Sequence, residues 1–457
     1  MKKVLFILSD HSYIRNFFDT NIIEKIKSNF ELHLIKRENI QEDKIKDYQF
    51  KNYSKDPQQK FKTTLFDLYV NFYKEKSRYF KFRLKRFYRF DLRYLNELCL
   101  QNNENDNFIN KNKRFYILIK NFFIFALLMV LSSRKLFKIT LNFFEKKIKI
   151  NKSFENLVDE DNYDIILMPT NGYSSEVYDL LKLSKKKNLK LNFVIDNWDN
   201  LSSKMIFFEK PDKIFVWGEQ TSKHAENIHK ISQKNIFKIG SARYENFFQN
   251  RDKNLKNYFN HKYILFLGSS WSWDEEATLT YIDEIIENNK KIFSNLKIIY
   301  RYHPFRQRKN KINPNWKNIV IDPQLISTSQ LKGRRWPDLN YYPSLIKNCE
   351  FVVGGFTTML LETTIFYKKY IGIGYDDDKS LLNQKNALKH FEHLDGIEEL
   401  PNLEICYNKF HLKNLIIKSI TKPKIYEKKT IDDAREHFLT YDPNKTYGDK
   451  LIEYLKK

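Results

Sequence analysis

The sequence predicts an α/β protein built from two doubly wound parallel-sheet domains in tandem, with a helical insertion in the first. Short apolar runs without internal alternation recur along the chain, as expected of strands that are buried on both faces of a parallel sheet. Helix-like segments separate these runs, which is the rhythm of βαβ units. The 457 residues exceed what one hydrophobic core usually serves, so we expect at least two domains.

The first domain is predicted over residues 1–240 and opens with a strand, a helix and a strand. The strands are Lys2–Leu8 and Glu31–Lys36, and the helix lies around Ile14–Ile26. Further strands are predicted at Tyr163–Met168, Leu191–Asp196, Lys213–Trp217 and Asn235–Gly240, with one helix over Tyr173–Lys186 and another that ends at Lys230.

Between about residues 51 and 151 the pattern changes to long helical runs without a convincing strand, which indicates an insertion. Phe122–Leu131 is ten apolar residues long, well short of the roughly 20 that a membrane-spanning helix needs. Lys74–Phe90 interleaves Lys and Arg with Tyr and Phe. That composition fits a solvated helix with its aromatic face on the core, and it also fits peripheral contact with an anionic membrane through residues 74–90.

A polar stretch at residues 241–261 is predicted to be the domain linker. The second domain, residues 262–430, repeats the βαβ rhythm, and residues 431–457 form a helical tail. The predicted strands of the second domain are Tyr263–Gly268, Leu296–Arg301, Asn318–Ile321, Phe351–Gly355 and Tyr370–Gly374. Its predicted helices lie over Asp274–Phe293 and Thr357–Tyr367. Two such domains in tandem predict a cleft for ligands.

The net charge of +24 invites a nucleic-acid interpretation. We expect no nucleic-acid partner, because Lys, Asn, Ile and Phe are all abundant together and no nucleic-acid-binding motif accompanies the charge. The three cysteines share no metal-ligand spacing, which favours a reducing compartment. The apolar start of the chain is read as a first buried strand, so we expect a cytoplasmic location, including the inner face of the membrane.

The glycine pair Gly354–Gly355 stands at the end of a buried strand. Without a Cβ, the chain can turn there and bring backbone N–H groups close to a ligand. Thr357 or Thr358 would cap the following helix, whose N-terminus attracts anions such as a diphosphate. Glu362, one turn deeper, is suited to a ribose. The alternative is that the glycines only allow strand and helix to pack.

Two more strand ends point to the same edge of the second sheet. GSSWSWDEE begins at Gly268 and supplies hydroxyls, of which Ser269 and Ser270 either donate to phosphate or only cap a helix. RYHP places Arg301 and His303 at the carboxyl end of the next strand, where ligands of open α/β sheets bind. These residues complete a predicted site for a phosphate-bearing ligand.

The matching edge of the first domain also carries polar side chains after a buried strand. Asp196 ends a strand and is followed by Asn197, Trp198 and Asp199, an indole among polar groups that fits a sugar, with Lys204 available for phosphate. Local turn hydrogen bonds explain the same composition equally well.

Asp10 and His11 follow the first strand, and either side chain can act as a general base. His11 is also suited to a plain helix cap. The Thr170–Ser175 loop adds Gly172 beside a third strand end.

The second half resembles the nucleotide-binding half of GT-B glycosyltransferases, through the glycine-ended strand at Tyr263, the Arg301-x-His303-Pro304 element and VVGGFTTMLLETTIFYKKYIGIGYDD. The Arg-x-His-Pro element is similar to that of bacterial surface-polysaccharide enzymes with CMP- or CDP-linked donors, such as sialyltransferases, Kdo transferases and CDP-glycerol glycerophosphotransferases. The resemblance covers Tyr263 to Asp378. It implies that His303 binds or protonates the leaving phosphate and that Thr357 and Thr358 grip it. It also implies that the matching edge of the first domain binds the acceptor and that Asp10 or His11 is the base that deprotonates an acceptor hydroxyl. Sialyltransferase-like sequences carry serines at these two threonine positions.

The predicted function is therefore a GT-B transferase with two tandem Rossmann-like domains, inverting and independent of metal and cofactor. It would move a sugar or polyol phosphate from a nucleotide-activated donor, CMP- or CDP-linked by the resemblance, to a glycan or lipid-linked acceptor in surface polysaccharide, capsule or lipopolysaccharide synthesis. The alternatives are an enzyme like a sugar-nucleotide 2-epimerase and a non-catalytic basic protein that binds membrane or nucleic acid.

Overall fold

The fold was analysed in a computed structural model of the chain. It describes residues 1–41, 43–72, 78–79, 82, 116, 119–120, 122–124, 126–127, 134–170, 172, 174–205, 207, 209–269, 273–303, 313–325, 341–378 and 383–457. The described residues divide into two compact units: unit 1 comprises those within 1–88, 115–245 and 436–457, and unit 2 comprises those within 246–435. The C-terminal segment thus returns to the first unit.

Unit 1 is built on a seven-stranded sheet in the order β3-β2-β1-β4-β5-β6-β7, with every pairing parallel. Its strands are β1 (Lys3–Leu8), β2 (Glu31–Arg37), β3 (Phe50–Tyr53), β4 (Ile165–Thr170), β5 (Leu191–Ile195), β6 (Lys213–Val216) and β7 (Ile236–Lys238). Its helices are α1 (Ser12–Phe17), α2 (Ile22–Asn29), α3 (Gln59–Phe72), α4 (Arg134–Lys147), α5 (Lys152–Asp159), α6 (Ser175–Lys187), α7 (Glu219–Asn227) and the first residue of α8 (Glu245–Asn250).

Unit 2 is built on a six-stranded sheet in the order β10-β9-β8-β11-β12-β13, again parallel throughout. Its strands are β8 (Lys262–Leu267), β9 (Leu296–Arg301), β10 (Ile319–Ile321), β11 (Val352–Gly354), β12 (Tyr370–Ile373) and β13 (Leu403–Cys406). Its helices are α9 (Glu275–Asn288), α10 (Tyr341–Asn348), α11 (Met359–Ile365), α12 (Gln384–His390), α13 (Lys409–Thr421) and α14 (Lys428–Glu436), and α15 (Tyr447–Lys456) follows in unit 1.

The α/β prediction with two parallel sheets is confirmed, because apolar side chains cover both faces of each sheet. In unit 1, Leu5 and Ile7 of β1 face one cluster, whereas Val4 and Phe6 face the other. Successive residues of a strand point to opposite faces of the sheet, so neighbouring β1 residues are buried in different clusters. The tail helix α15 belongs to the second cluster, where Leu451 is fully buried.

Several elements differ from the sequence prediction. Strands β3 and β13 were not predicted: both are four-residue edge strands, and β3 buries only its last residue fully. The first predicted helix is two helices, α1 and α2, because the chain breaks helical geometry between Phe17 and Ile22. The predicted linker contains a 3₁₀ turn at Ala242–Tyr244 and helix α8.

A buried charge cluster fastens the start of the insertion to unit 1. Lys62 of α3 is fully buried, and its Nζ lies 2.6 Å from carboxylate oxygens of both Asp56 and Asp179. Burial raises the pKa of Asp179 to about 6, although Lys62 opposes the shift. Removing one member of such a cluster leaves an uncompensated buried charge, so the cluster specifies how α3 docks on α6.

Strand order locates the switch point of each sheet. In unit 1 the chain builds outward from β1 to β3 and then crosses to β4 on the other side, so β1 and β4 flank the switch point. In unit 2, β8 and β11 occupy the equivalent positions. Ligands of open α/β sheets bind at the carboxyl ends of the strands at such points. The predicted site residues follow these strands and their neighbours.

Candidate functional site

At the carboxyl edge of unit 2, the ends of β8 and β9 lie side by side. A Cβ placed on Gly268 would lie 3.0 Å from Cα of Tyr302 and 3.2 Å from the backbone nitrogen of His303. Only glycine allows this approach without displacing backbone. The structure therefore brings the predicted strand-end glycine and the predicted histidine together, at the switch point.

The glycine pair is explained by close packing within the unit. A Cβ on Gly354 would lie 2.5 Å from the carbonyl oxygen of Leu267, and one on Gly355 would lie 2.6 Å from Nε2 of Gln384. The Tyr370 hydroxyl donates to the Gly355 carbonyl over 2.5 Å. The packing alternative for Gly354 and Gly355 thus holds in this structure, and Gln384 occupies the space beside the second glycine.

Gln384 links the loops that follow β8 and β11. Its Oε1 accepts from the Phe356 N–H over 2.9 Å, and its Nε2 donates to the Ser269 hydroxyl at 3.3 Å. Gln384 and Ser269 are both buried. The Phe356 N–H at this corner is thus bonded to Gln384, which fixes the loop that carries Thr357.

Glu275, at the first position of α9, is a fully buried carboxylate in the same network. One of its oxygens accepts from the Ser269 N–H over 2.8 Å, and the other accepts from the Tyr300 hydroxyl over 2.7 Å. Acidic residues are favourable in the first helical turn because they complement the helix dipole. Glu275 therefore ties β8, β9 and α9 together from within.

Arg301 is directed into the unit. Its guanidinium is buried, pairs with Asp322, donates to Oε1 of Gln324 over 3.1 Å and lies 4.1 Å from the ring centroid of Tyr342. The surrounding charges raise the pKa of Arg301 despite its burial. In this arrangement the cation stabilises the β9–β10 edge and is not presented at the surface.

Burial separates the predicted donor-side residues into two groups. Ser269, Arg301, Gly354, Gly355 and Glu362 are buried, whereas His303, Thr357 and Thr358 are partly exposed. Helix α11 begins only at Met359 and is seven residues long. The Thr357 hydroxyl accepts from the Met359 N–H at 3.3 Å, and the Thr358 side chain makes no capping hydrogen bond. The partly exposed group is the one that a ligand can reach, and Ser270 lies outside the described residues.

The acidic run Tyr375–Asp378 packs on the same edge. Asp377 accepts from the Asp274 N–H over 2.8 Å, and Asp376 accepts from Nδ2 of Asn383 over 2.6 Å. These contacts hold the loop after β12 against α9 and α12, so these two carboxylates have structural partners within the unit.

At the carboxyl edge of unit 1, Asp10 and His11 follow β1. Asp10 is exposed, and its Oδ1 accepts from both the N–H and the hydroxyl of Ser12, at 2.9 and 2.8 Å. His11 occupies the position before α1, but its side chain makes no capping hydrogen bond. Asp10 thus starts the helix, while the partly exposed His11 imidazole stands beside it.

Asp196, directly after β5, is a buried carboxylate beside the β1 end. Asn16 of α1 donates to its Oδ1 over 2.6 Å, and the Asp196 N–H donates to the Thr170 carbonyl over 3.1 Å. Burial raises the pKa of Asp196, the nearby Arg243 guanidinium opposes this, and the charge of Asp10 adds a smaller increase. Asp196 therefore connects the end of β5 to α1 through its carboxylate and to the end of β4 through its backbone N–H.

Trp198 does not offer a stacking surface. Only 1% of the residue is exposed, and its indole N–H donates to Oε1 of Gln220 over 2.7 Å. The tryptophan serves as core, since its indole packs against Phe438 and bonds to a buried glutamine. Asp199 and Lys204 are partly exposed and pair with each other over 2.9 Å across a π-helical turn at Asn200–Lys204. Such turns often mark functional sites.

Three buried polar atoms at this edge have no hydrogen-bond partner in the described part of the chain. They are the Ser9 hydroxyl, Oδ1 of Asn200 and the Tyr447 hydroxyl. Ser9 directly follows β1, the Asn200 side-chain nitrogen donates to the Thr170 carbonyl at the end of β4, and the Asp196 charge acts on Tyr447. Buried polar groups are nearly always satisfied, so these three atoms have capacity for water or a ligand.

Among the residues that the structure describes, one group of three side chains has metal-ligand spacing: Glu31, His33 and Asp161. It lies toward the amino-terminal ends of the strands, opposite to the edge described above. Lys3 already pairs with Asp161 over 2.8 Å. This cluster therefore adds nothing to the candidate site.

Sequence reasoning missed Glu275, Gln384, Asn16 and Tyr447. Glu275 was visible as an acid in the first turn of a helix after a strand-end glycine. Gln384 and Tyr447 come from distant segments, and nothing local in the sequence marks them. The basic aromatic segment 74–90 lies outside the described residues except for positions 78, 79 and 82. No described helix is both long and apolar enough to cross a bilayer.

The fold is shared with solved structures of low sequence identity. The S. aureus MnaA–UDP co-structure matches with a TM-score of 0.51 and 11% identity, over 100% of this chain and 96% of that chain. The glycotransferase of kitacinnamycin matches with a TM-score of 0.51 and 8% identity, over 100% and 98%. The UDP-GlcNAc 2-epimerase from Methanocaldococcus jannaschii, in complex with UDP-GlcNAc and UDP, reaches a TM-score of 0.48 at 13% identity, over 99% of each chain.

No protein-family model and no curated protein matches the sequence. Identities of 8 to 11% establish the fold alone. With two parallel Rossmann-like sheets of seven and six strands and full-length matches to both structures, the chain has a GT-B-like fold.

Proposed function

We propose that the protein is a GT-B-type transferase that binds a nucleotide-activated sugar or polyol at the carboxyl edge of unit 2 and acts in surface-polysaccharide synthesis. The observation that carries the proposal is the convergence of Gly268, His303 and the Gln384-braced Gly355 corner at the switch point of the unit 2 sheet. Nucleotide ligands of open α/β sheets occupy this position.

Within this site, the partly exposed side chains are assigned to the ligand and the buried ones to the framework. His303 binds or protonates the leaving phosphate, and the Thr357 and Thr358 hydroxyls donate to it. Charge that develops on a departing phosphate is stabilised best by donors held in place before the reaction. Glu275 and Gln384 supply that rigidity, because they fix the strand ends from which the ligand-facing residues project.

The acceptor is assigned to unit 1. Asp10 and His11 are the candidates for the base, and the Asp196 region binds acceptor hydroxyls. The three buried polar atoms without described partners support this assignment, since a polyhydroxylated acceptor offers both donors and acceptors to them. In this assignment Asp199 and Lys204 border the acceptor, and Trp198 supports the loop from inside.

A thermal-shift panel with CMP, CDP, UDP and GDP tests the donor assignment. We expect a cytidine nucleotide to stabilise the wild-type protein most, by about 2.7 kcal/mol at a hundredfold excess over the dissociation constant. UDP belongs in the panel because the MnaA structure contains it. His303→Ala should lose most of the shift, whereas His411→Ala, an exposed histidine of the same unit, should keep it.

Each outcome separates the proposal from its rivals. If His303→Ala bound the nucleotide equally well and kept its turnover, the role of His303 would be wrong. Turnover of a UDP-sugar by the isolated protein without acceptor would favour an epimerase-like enzyme. Tight, salt-dependent binding of DNA together with no shift by any nucleotide would replace the enzyme with a basic binding protein.

A further inference from the structure

The insertion of unit 1 exposes apolar side chains along α4. Ile139 is 66% exposed and Phe143 is 55% exposed, and Leu136 is also exposed. Positions 136, 139 and 143 follow helical spacing and lie along one face. The neighbouring face of α4 is packed on the protein, where Phe144 contacts the unit 1 core and lies 5.8 Å from the ring of Phe61. The exposed face is therefore turned away from the core.

The helical residues described between positions 116 and 127 add a second apolar row. Tyr116, Phe123 and Leu127 are 65%, 67% and 58% exposed, and Phe122 and Ile119 are exposed beside them. Positions 116, 119, 123 and 127 again follow helical spacing. Single exposed apolar residues need no explanation, but eight of them in one insertion do, seven of which form two helical rows. We call these eight residues the insertion face.

The charge around the insertion face is almost entirely positive. Residues 115–149 contain seven Lys or Arg residues and one acidic residue, Glu145. Lys146 and Lys147 are exposed, and the Lys147 ammonium lies 4.4 Å from the ring centroid of Phe143. Aromatic and aliphatic side chains bordered by lysines are the composition of a helix that lies in the interface of an anionic membrane.

We propose that the insertion face docks unit 1 on the surface of an anionic lipid bilayer. Phe123, Ile139 and Phe143 enter the boundary between head groups and acyl chains, and the lysines contact lipid phosphates. Because α4 is held on the core by Phe144 and Ile148, it meets the bilayer along its side. A second copy of this chain is a poorer occupant, since docking two such faces would bring like charges together. The inference does not depend on the donor assignment.

Flotation of the full chain with vesicles tests the proposal. The probes are phosphatidylcholine vesicles with and without phosphatidylglycerol, in the absence of nucleotide. We expect the wild type to float with the anionic vesicles and only weakly with the neutral ones. Ile139→Asp with Phe143→Asp should reduce the bound fraction about tenfold, because carboxylates replace the side chains that enter the lipid. Phe410→Asp, which changes an 80% exposed residue of unit 2, should float like the wild type.

Lys146→Gln with Lys147→Gln separates the two contributions. This variant should bind anionic vesicles more weakly while its binding to neutral vesicles stays unchanged, since only the attraction to lipid phosphate is reduced. Unfolding midpoints within error of the wild type show that the variants are folded. The proposal is overturned if the wild type floats with neither vesicle or if the aspartate variant floats unchanged. It is equally overturned if sedimentation shows that the aspartate variant converts a dimer to a monomer while its binding to vesicles stays unchanged.

Discussion

The carboxyl edges of the two sheets differ in how their buried polar groups are satisfied. In unit 2, the Ser269 N–H, the Tyr300 hydroxyl and the Phe356 N–H each bond to a buried side chain. The indole N–H of Trp273 is an exception among the residues described there. In unit 1, the Ser9 and Tyr447 hydroxyls and one oxygen of Asn200 are buried without described partners.

Under the proposed function, this difference corresponds to two kinds of binding edge. The more completely bonded edge of unit 2 is rigid before a ligand arrives, which suits the nucleotide phosphate that CMP- and CDP-linked donors share. An edge with unused hydrogen-bonding capacity takes its final form with the ligand and suits an acceptor with many hydroxyls. Unsatisfied buried groups cost about 1–3 kcal/mol each, so the second kind of edge is retained at the expense of stability.

The largest expected effect comes from breaking the unit 2 edge. Glu275→Ala should lower the free energy of unfolding by about 3 kcal/mol, because it leaves the Ser269 N–H and the Tyr300 hydroxyl buried without their acceptor. It should also abolish the nucleotide-induced thermal shift. Denaturant unfolding measures the first effect and the thermal-shift panel the second.

Glu276→Ala is the matched control for this variant. Glu276 is exposed in the same helical turn, so its removal should change stability by less than about 0.5 kcal/mol. Equal losses in the two variants would mean that the helix dipole, and not the buried network, is what Glu275 serves.

A pair of tyrosine substitutions compares the two edges directly. Tyr300→Phe removes a hydroxyl bonded to Glu275 over 2.7 Å and should cost about 1–2 kcal/mol. Tyr447→Phe removes a hydroxyl without a described partner and should leave stability within about 0.5 kcal/mol or raise it. Although Tyr447→Phe should have little effect on stability, it should raise the KM for the acceptor. The thermal shift induced by the nucleotide should stay intact in this variant. A comparable stability loss in both variants would remove the distinction between the edges.

The smallest expected effect concerns the pH dependence of folding stability, to which Asp196 and Asp161 contribute with opposite signs. Burial raises the pKa of Asp196 above 3.8, so its contribution to folding is complete below that value and is lost as the pH rises through the raised pKa. The hydrogen bond from Lys3 lowers the pKa of Asp161, so that contribution is present above 3.8 and is lost as the pH falls.

Unfolding midpoints measured between pH 3 and pH 7 check these signs. Relative to Asp196→Asn, the wild type should become less stable with rising pH, and relative to Asp161→Asn it should become more stable. If both differences ran in the same direction, the Asp196 carboxylate would be better solvated than its position implies.

Local sequence predicted the strand-end loops well and the exposure of their residues poorly. Strand β9 lies at Leu296–Arg301 as predicted, because an apolar run that ends before Pro304 leaves little freedom in its bounds. The orientation of Arg301 depends on Asp322 and Tyr342, which lie 21 and 41 residues further along the chain. Trp198 was assigned to a surface for the same reason: its partner Gln220 is set by tertiary packing. The short edge strands β3 and β13 were not predicted from the sequence, because they form through pairing with a neighbouring strand and not through their apolar content.

The return of residues 436–457 to unit 1 has a consequence for how the chain folds during synthesis. Residues 246–435 must be translated before α15 exists, and α15 places Leu451 and Tyr447 in the unit 1 core. At about 5–20 residues per second this interval lasts roughly 10 to 40 s. During this interval the apolar surface of the unit 1 sheet that α15 covers stays exposed, and unit 2 can complete its folding before unit 1.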